Sequence, residues 1–284
     1  MTMCRHILTL SCQDRKGIVA AVATLIAAQD CNIAESAQYG DPGSSRFFMR
    51  VAFDTPAGLS VDRFKAAFRG VADHYSMDWG VVDFTVRPRV LILVSQMDHC
   101  LNDLLYRHRI GQLRMDIVGV GSNHQTARRR VESEGIAFHY WPVASETRSA
   151  QETELLRMIT REDISLVVLA RYMQVLSSDL CTHLKGRAIN IDHSFLPSFK
   201  GAKAYHRAHE HGVKLIGATA HYVTADLDEG PIIEQDVGRV DHAMSVEEFV
   251  SMGRDIEALV LARAVRYHIE RRVLLNGNRT IVFR

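Results

Sequence analysis

The sequence predicts an α/β protein of two unlike parts: a small ferredoxin-like α+β domain over residues 1–86, then a Rossmann-like domain with a mainly parallel sheet over residues 90–284. Three observations carry that prediction. The first 86 residues alternate strand and helix patterns in the order β-α-β-β-α-β, which is the order of a helix-covered antiparallel sheet. Arg87, Pro88 and Arg89 then interrupt the pattern. From Val90 onward short β-branched runs alternate with helix-like segments, as expected of parallel strands covered on both faces. A chain of 284 residues has room for two unequal domains.

RHILTLS (5–11) reads as the first strand, and Ile18, Val22, Leu25 and Ile26 recur behind it at helical spacing. NIAESAQYG and RFFMRVAF flank the turn-rich DPGSS and read as a hairpin. A helix over 62–73 and a strand over 80–86 complete the first domain. In the second, RVLILVS, MDIVGVG, ISLVVLA and RAINI are the strands, with helices such as 98–108 and 150–161 between them. KLIGATAHYV and PIIEQDV read as paired strands around the loop TADLDEG. A Ser245 to Glu248 capping box opens a long last helix. In such sheets ligands bind beyond the carboxyl ends of the strands, so the loops after Ile191 and Val223 are the places to look.

Composition narrows the partner. With 47% hydrophobic and 24% charged residues the chain is globular, and its net charge of +1 lacks the basic excess that nucleic acid or an anionic membrane rewards. A small molecule is the expected partner. Five scattered cysteines without a C-x-x-C pair point to a reducing compartment, and no run of about eighteen apolar residues suggests a membrane helix. A cytoplasmic protein is expected. No metal is expected either: the fourteen histidines include His206, His209 and His211, but these fall on an expected exposed helix with no clear cysteine or carboxylate set.

Two segments could carry chemistry. AINIDHSFLPSFKGAKAYH (188–206) is an apolar strand ending in Asn190, Asp192, His193 and Ser194. Polar groups at a strand end commonly cap a turn. GATAHYVTADLDEGPII (217–233) puts His221 on a strand and Asp226, Asp228 and Glu229 just before Gly230. Acidic loops are commonly just solvated. Two polar strand-end loops in one α/β domain favour a site.

LARYMQVLS, NIDHSFLPSFKGA and GATAHYVTADLDEGPII resemble, in matching order, the folate-dependent formyltransferase fold. HCLNDLL (99–105), SNH (122–124) and the tail NGNRTIVF narrow the resemblance to the formyltetrahydrofolate deformylase family. DRKGIVAAVA with NIAE resembles the ACT domain of that family, so the likeness covers essentially the whole chain. It implies hydrolysis of 10-formyltetrahydrofolate to formate and tetrahydrofolate, balancing one-carbon pools for purine synthesis. The folate is substrate and no cofactor is implied. The likeness also implies a homo-oligomer, dimer or tetramer, with a possible amino-acid effector. It further implies a pterin held by backbone around Met173, Val175 and Leu176 and around Thr224 to Leu227.

The family's site is an asparagine, a histidine two residues later and an aspartate in an L-D-x-G-type loop. Asn190 and Asp228 match, but Asp192 stands at the histidine position. His193 follows, and on a regular strand it should face away from Asn190. Asn190 is expected to donate to the oxyanion of the tetrahedral intermediate, and Asp228 to act as general base and then acid. His221 would orient Asp228 or the water. Asp192 either shares a proton with Asp228 or yields its role to His193 after a backbone break.

Two rival readings remain open on the sequence. Formyl transfer to a phosphorylated amine calls for a glycine-rich first loop, yet the loop after LILVS reads QMDHC, with Ser95 to Asp98 resembling only a helix cap. A non-catalytic folate or amino-acid sensor is the other, given Asp192. In the first domain the D-R-x-G turn before a helix suggests an amino-acid site at a subunit interface near Asp14, Gly17 and Asn32.

Overall fold

The computed structural model describes residues 4–56, 58–142, 148–196 and 204–284, without the Arg148 side chain. The chain forms two compact units, one of residues up to Arg87 together with Glu270–Arg284, the other Pro88–Ile269. The units divide at Arg87/Pro88, and the last fifteen residues, which the sequence pattern groups with the second domain, belong to the first unit.

The first unit runs β1 (Cys4–Gln13), α1 (Ile18–Ala28), β2 (Asn32–Asp41), β3 (Arg46–Thr55), α2 (Val61–Tyr75) and β4 (Asp78–Asp83). The sheet order is β2-β3-β1-β4 with antiparallel neighbours. One face of each strand meets the helices: Leu8, Leu10, Met49, Val51 and Phe53 pack on Ile18, Val22, Ile26, Phe64 and Phe68. That alternation is the period-two pattern of a sheet covered on one face. β4 ends earlier than the expected 80–86, because Asp83 accepts the Thr85 backbone N–H at 2.7 Å and turns the chain.

The second unit runs β5 (Arg89–Val94), α3 (His99–Arg109), β6 (Asp116–Ser122), α4 (Arg128–Ser133), β7 (Phe138–Tyr140), α5 (Arg148–Arg161), β8 (Leu166–Leu169), α6 (Ser178–His183), β9 (Ala188–Asp192), α7 (Ala204–Glu210), β10 (Leu215–Tyr222), β11 (Ile232–Arg239) and α8 (Val246–Ile269). Its strands form a seven-stranded sheet in the order β11-β10-β9-β8-β5-β6-β7 among the described residues. From β7 to β9 neighbours are parallel, and β10 pairs antiparallel with both β9 and β11. Fully buried Leu91, Ile92, Leu93, Leu166 and Val168 fill the centre, as parallel strands covered on both faces require. The capping box is present: Ser245 N–H donates to Glu248 Oε2 at 2.6 Å, and Glu248 N–H donates to Ser245 Oγ at 3.2 Å. α7 is only partly exposed, since His209 packs edge-on against Phe249.

The last segment returns to the first unit as a hairpin of β12 (Val273–Asn276) and β13 (Arg279–Val282). Asn276 Nδ2 and Arg279 Nη2 both donate to Asp41 Oδ2, at 2.8 and 3.0 Å. Arg272 also lies 3.6 Å from Glu35. These polar partners, nearly 240 residues apart in sequence, are why the tail joins the first unit.

Candidate active site

Backbone pairing decides what the end of β9 presents. Asn190 lies opposite His221 and Asp192 opposite Thr219 in the β9–β10 ladder, so these four side chains share one face of the sheet. β9 thus stays regular through Asp192, as the face argument expects. The strand then stops because Thr219 takes over its polar groups. The Thr219 hydroxyl donates to the Ser194 carbonyl at 2.9 Å and accepts Leu196 N–H at 3.1 Å and Gln235 Nε2–H at 2.9 Å. One donor and two acceptor positions are all in use. The bend that results brings His193 to the same cavity as Asn190 and Asp192.

That cavity has a volume of about 240 Å³. Asn190, Asp192, His193, His221 and Asp228 line it, together with Met173, Val175, Leu176, Thr224, Asp226 and Leu227. Met173, Val175 and Leu227 are 58%, 55% and 62% exposed at its rim. Large apolar side chains left in water beside a polar floor mark a ligand surface. Of the residues expected to touch substrate, Ser194 alone is absent from the lining. It is buried behind Asp192, where its hydroxyl donates to Asp192 Oδ1 at 2.6 Å. Asp192 itself is buried, with His193 Nδ1 3.8 Å from the same oxygen.

His221 fixes the Asn190 amide. Its Nδ1 is 2.9 Å from the Tyr222 carbonyl, which can only accept, so Nδ1 carries the hydrogen. Nε2 is then the acceptor, and Asn190 Nδ2 donates to it at 3.3 Å. The amide is held with its NH2 toward the cavity side of β10, and its second N–H is the donor left for a ligand. His221 therefore orients Asn190 directly.

The loop 224–230 is held at both ends by β10. Tyr222 N–H donates to the Pro231 carbonyl at 2.9 Å, and Gly230 lies so close that a Cβ there would stand 1.6 Å from the Tyr222 oxygen. Only glycine fits. Thr224 Oγ1 donates to the Asp226 carbonyl at 2.9 Å, and Asp228 takes a left-handed backbone with φ 59°. A bulge between Ala220 and His221 on the β10–β11 pair re-aims the strand end above this loop.

Ser95 is not the helix cap that its sequence suggested. It donates to Asn123 Oδ1 at 2.7 Å and accepts Met173 N–H at 3.1 Å, tying the ends of β5, β6 and β8 together beneath the rim. The sequence also passed over Arg171, Tyr172 and Gln174, which line the cavity beside Met173. The segment SFKGAKAY, singled out as part of the motif, lies largely outside the described residues.

Asp14, Gly17 and Asn32 do not meet within one chain. Asp14 N–H bonds Ser45 at one end of the sheet, beside Gly17, which caps α1 with φ 92°. Asn32 pairs with Asp54 at the other end. Nine residues of β3 separate the two ends, roughly 30 Å at about 3.3 Å per residue.

The formyl transferase family model matches residues 88–265 and the ACT domain model matches residues 6–69. A formyltetrahydrofolate deformylase of Corynebacterium sp. (strain P-1) is 49% identical over 99% of this chain and 98% of its own length. The crystal structure of a formyltetrahydrofolate deformylase from Burkholderia mallei superposes with a TM-score of 0.94 at 49% identity, covering 99% of this chain and all of that one. One from Pseudomonas syringae gives a TM-score of 0.97 at 45% identity, covering 100% of this chain and 96% of that one.

Proposed function

The chain belongs to the formyltetrahydrofolate deformylase family, and from that premise we propose that the cavity at the end of β9 is where it hydrolyses 10-formyltetrahydrofolate to formate and tetrahydrofolate. The observation that carries the assignment is convergence: Asn190 of β9 and Asp228 of the loop after β10, 38 positions apart, line one cavity with Asp192, His193 and His221 under an exposed apolar rim.

The pterin lies against Met173, Val175, Leu176 and the backbone from Thr224 to Leu227, with the formyl group toward Asn190. Water adds to the formyl carbon and its proton passes to the Asp228 carboxylate. The amide N–H of Asn190 that His221 leaves unused meets the developing oxyanion. The C–N bond then breaks, the proton moves from Asp228 to the leaving nitrogen, and formate departs. No cofactor or metal enters this scheme.

Asp192 and His193 act in it as a pair. An ionised carboxylate near the oxyanion opposes catalysis by itself. Here its Oδ1 accepts from Ser194 and lies 3.8 Å from the His193 imidazole, so that imidazole stands where it can take the role that the resemblance gives to a histidine at position 192. Asp228 lines the same cavity as this pair.

The first unit is regulatory in this reading and takes a small amino acid. Because Asp14 and Gly17 lie at the far end of the sheet from Asn32, a site using all three needs two copies of the chain. A homo-oligomer, dimer or tetramer, is therefore part of the proposal, as is a place in balancing folate pools for purine synthesis.

Asp228→Asn tests the assignment. It keeps the shape and deletes the base, so turnover should fall about 10²- to 10⁴-fold with tetrahydrofolate affinity largely kept. A variant retaining more than half the wild-type rate removes Asp228 from the mechanism.

A further inference from the structure

α8 carries a carboxylate where its own pattern calls for an apolar side chain. Glu257 falls on the buried stripe of Phe249, Gly253, Val260 and Leu261 and is 1% exposed. Two hydrogen-bond donors and one guanidinium converge on it. His99 Nε2 lies at 3.0 Å, Tyr205 donates its O–H at 2.8 Å, and Arg171 Nε stands 3.3 Å away. Burial alone would push this carboxyl up, but the bond from His99, the charge of Arg171 and the bond from Tyr205 hold it below its ordinary range. It is therefore an anion inside the protein.

His99, Cys100 and Glu257 bring three possible ligand atoms within 4.8 Å of one another. They do not make a cation site, because the Arg171 guanidinium already supplies the positive charge and burial pushes the Cys100 thiol well up, away from thiolate.

What this anion holds is Arg171. Arg171 is 7% exposed and has φ 65°, a left-handed backbone that side chains other than glycine adopt at a cost. It opens the stretch that lines the cavity through Met173, Val175 and Leu176. Its carbonyl accepts Ser95 N–H at 3.2 Å, and Met173 N–H donates to Ser95 Oγ at 3.1 Å. The turn is thus gripped from β5 through its backbone and from α8 through its guanidinium. A buried pair of this kind adds little net stability compared with apolar packing, and such pairs can instead specify a single conformation.

We propose that Glu257 is a positioning residue for folate binding, holding through Arg171 the left-handed turn that presents residues 172–176 to the pterin. This rests on the reading that Met173, Val175 and Leu176 form the pterin wall.

The test uses the full chain with Glu257→Gln, measuring kcat and KM for 10-formyltetrahydrofolate and Kd for tetrahydrofolate. A displaced wall should raise KM and Kd about ten-fold or more, since 1 Å of misplacement can cost on the order of 10²-fold, while kcat stays within a few-fold. A purely structural role would lower the folded fraction and leave KM unmoved. Unchanged KM and Kd in folded Glu257→Gln protein overturn the proposal. If that variant does not fold, Glu257→Asp decides in the same assay: it keeps the charge but shortens the reach, and an unchanged KM again overturns the proposal. Val175→Asp, on the wall itself, separates the two readings. If it raises KM and the Glu257 variant does not, only the positioning role fails; if neither does, the pterin wall is misplaced as well.

Discussion

At residue 192 the strand keeps its register, so the Asp192 carboxylate lies at the cavity where the sequence resemblance calls for a histidine, and the Thr219-driven bend then delivers His193 to the same cavity. Replacing Asp192 by Ala removes the acceptor of both Ser194 and the neighbouring imidazole and should lower kcat. Asp192→His restores the family residue and should keep or raise activity. Steady-state rates of the two variants check this, and a loss with Asp192→His as severe as with Asp192→Ala would show that the carboxylate itself is required. The same scale shows what a sequence hides. Asn190 and Asp228 were legible because their motifs are local, whereas the His221 to Asn190 bond depends on strand pairing. Arg171, Tyr205 and Glu257 were illegible, since only tertiary packing brings them together. The one signal for Glu257 was an acid in the apolar run EALVLARAV.

Among the elements, the long strands and the capped helix α8 were readable from periodicity and end signals. The three-residue β7 and the six-residue α4 and α6 were not, each being shorter than two full periods of its own pattern. The C-terminal hairpin was legible as a motif but not as part of the first unit, because its anchor is Asp41. Hydrogen bonds from Ser44 and Asn276, then Gly43 and the charge of Arg279, bring the Asp41 carboxyl down to about 2 against the opposing effect of burial. A depressed folded value stabilises above the unfolded value near 3.8 and loses that contribution as pH falls toward 2. Asp41→Asn should therefore lower stability at neutral pH and lack this acid-dependent component. Thermal melts from pH 7 down to about pH 2 check it; a difference between variant and wild type that does not shrink with acid would contradict the assignment.

At the scale of the molecule, the chain folds as two units with separate cores. No helix among the described residues is long and apolar enough to cross a membrane. If the first unit takes an amino acid between subunits, calorimetry with a panel of amino acids should show heat for at least one, with a matching change in turnover. Neither heat nor rate change would leave that unit an assembly role alone. The central claim is that water, and no amine, takes the formyl group in the cavity of Asn190 and Asp228. The most direct measurement is the yield of formate and tetrahydrofolate from 10-formyltetrahydrofolate with purified protein, with and without an added amine acceptor. The account predicts equal amounts of the two products, unaffected by the amine and nearly abolished in Asp228→Asn; absence of formate, or turnover only when the amine is present, would contradict it.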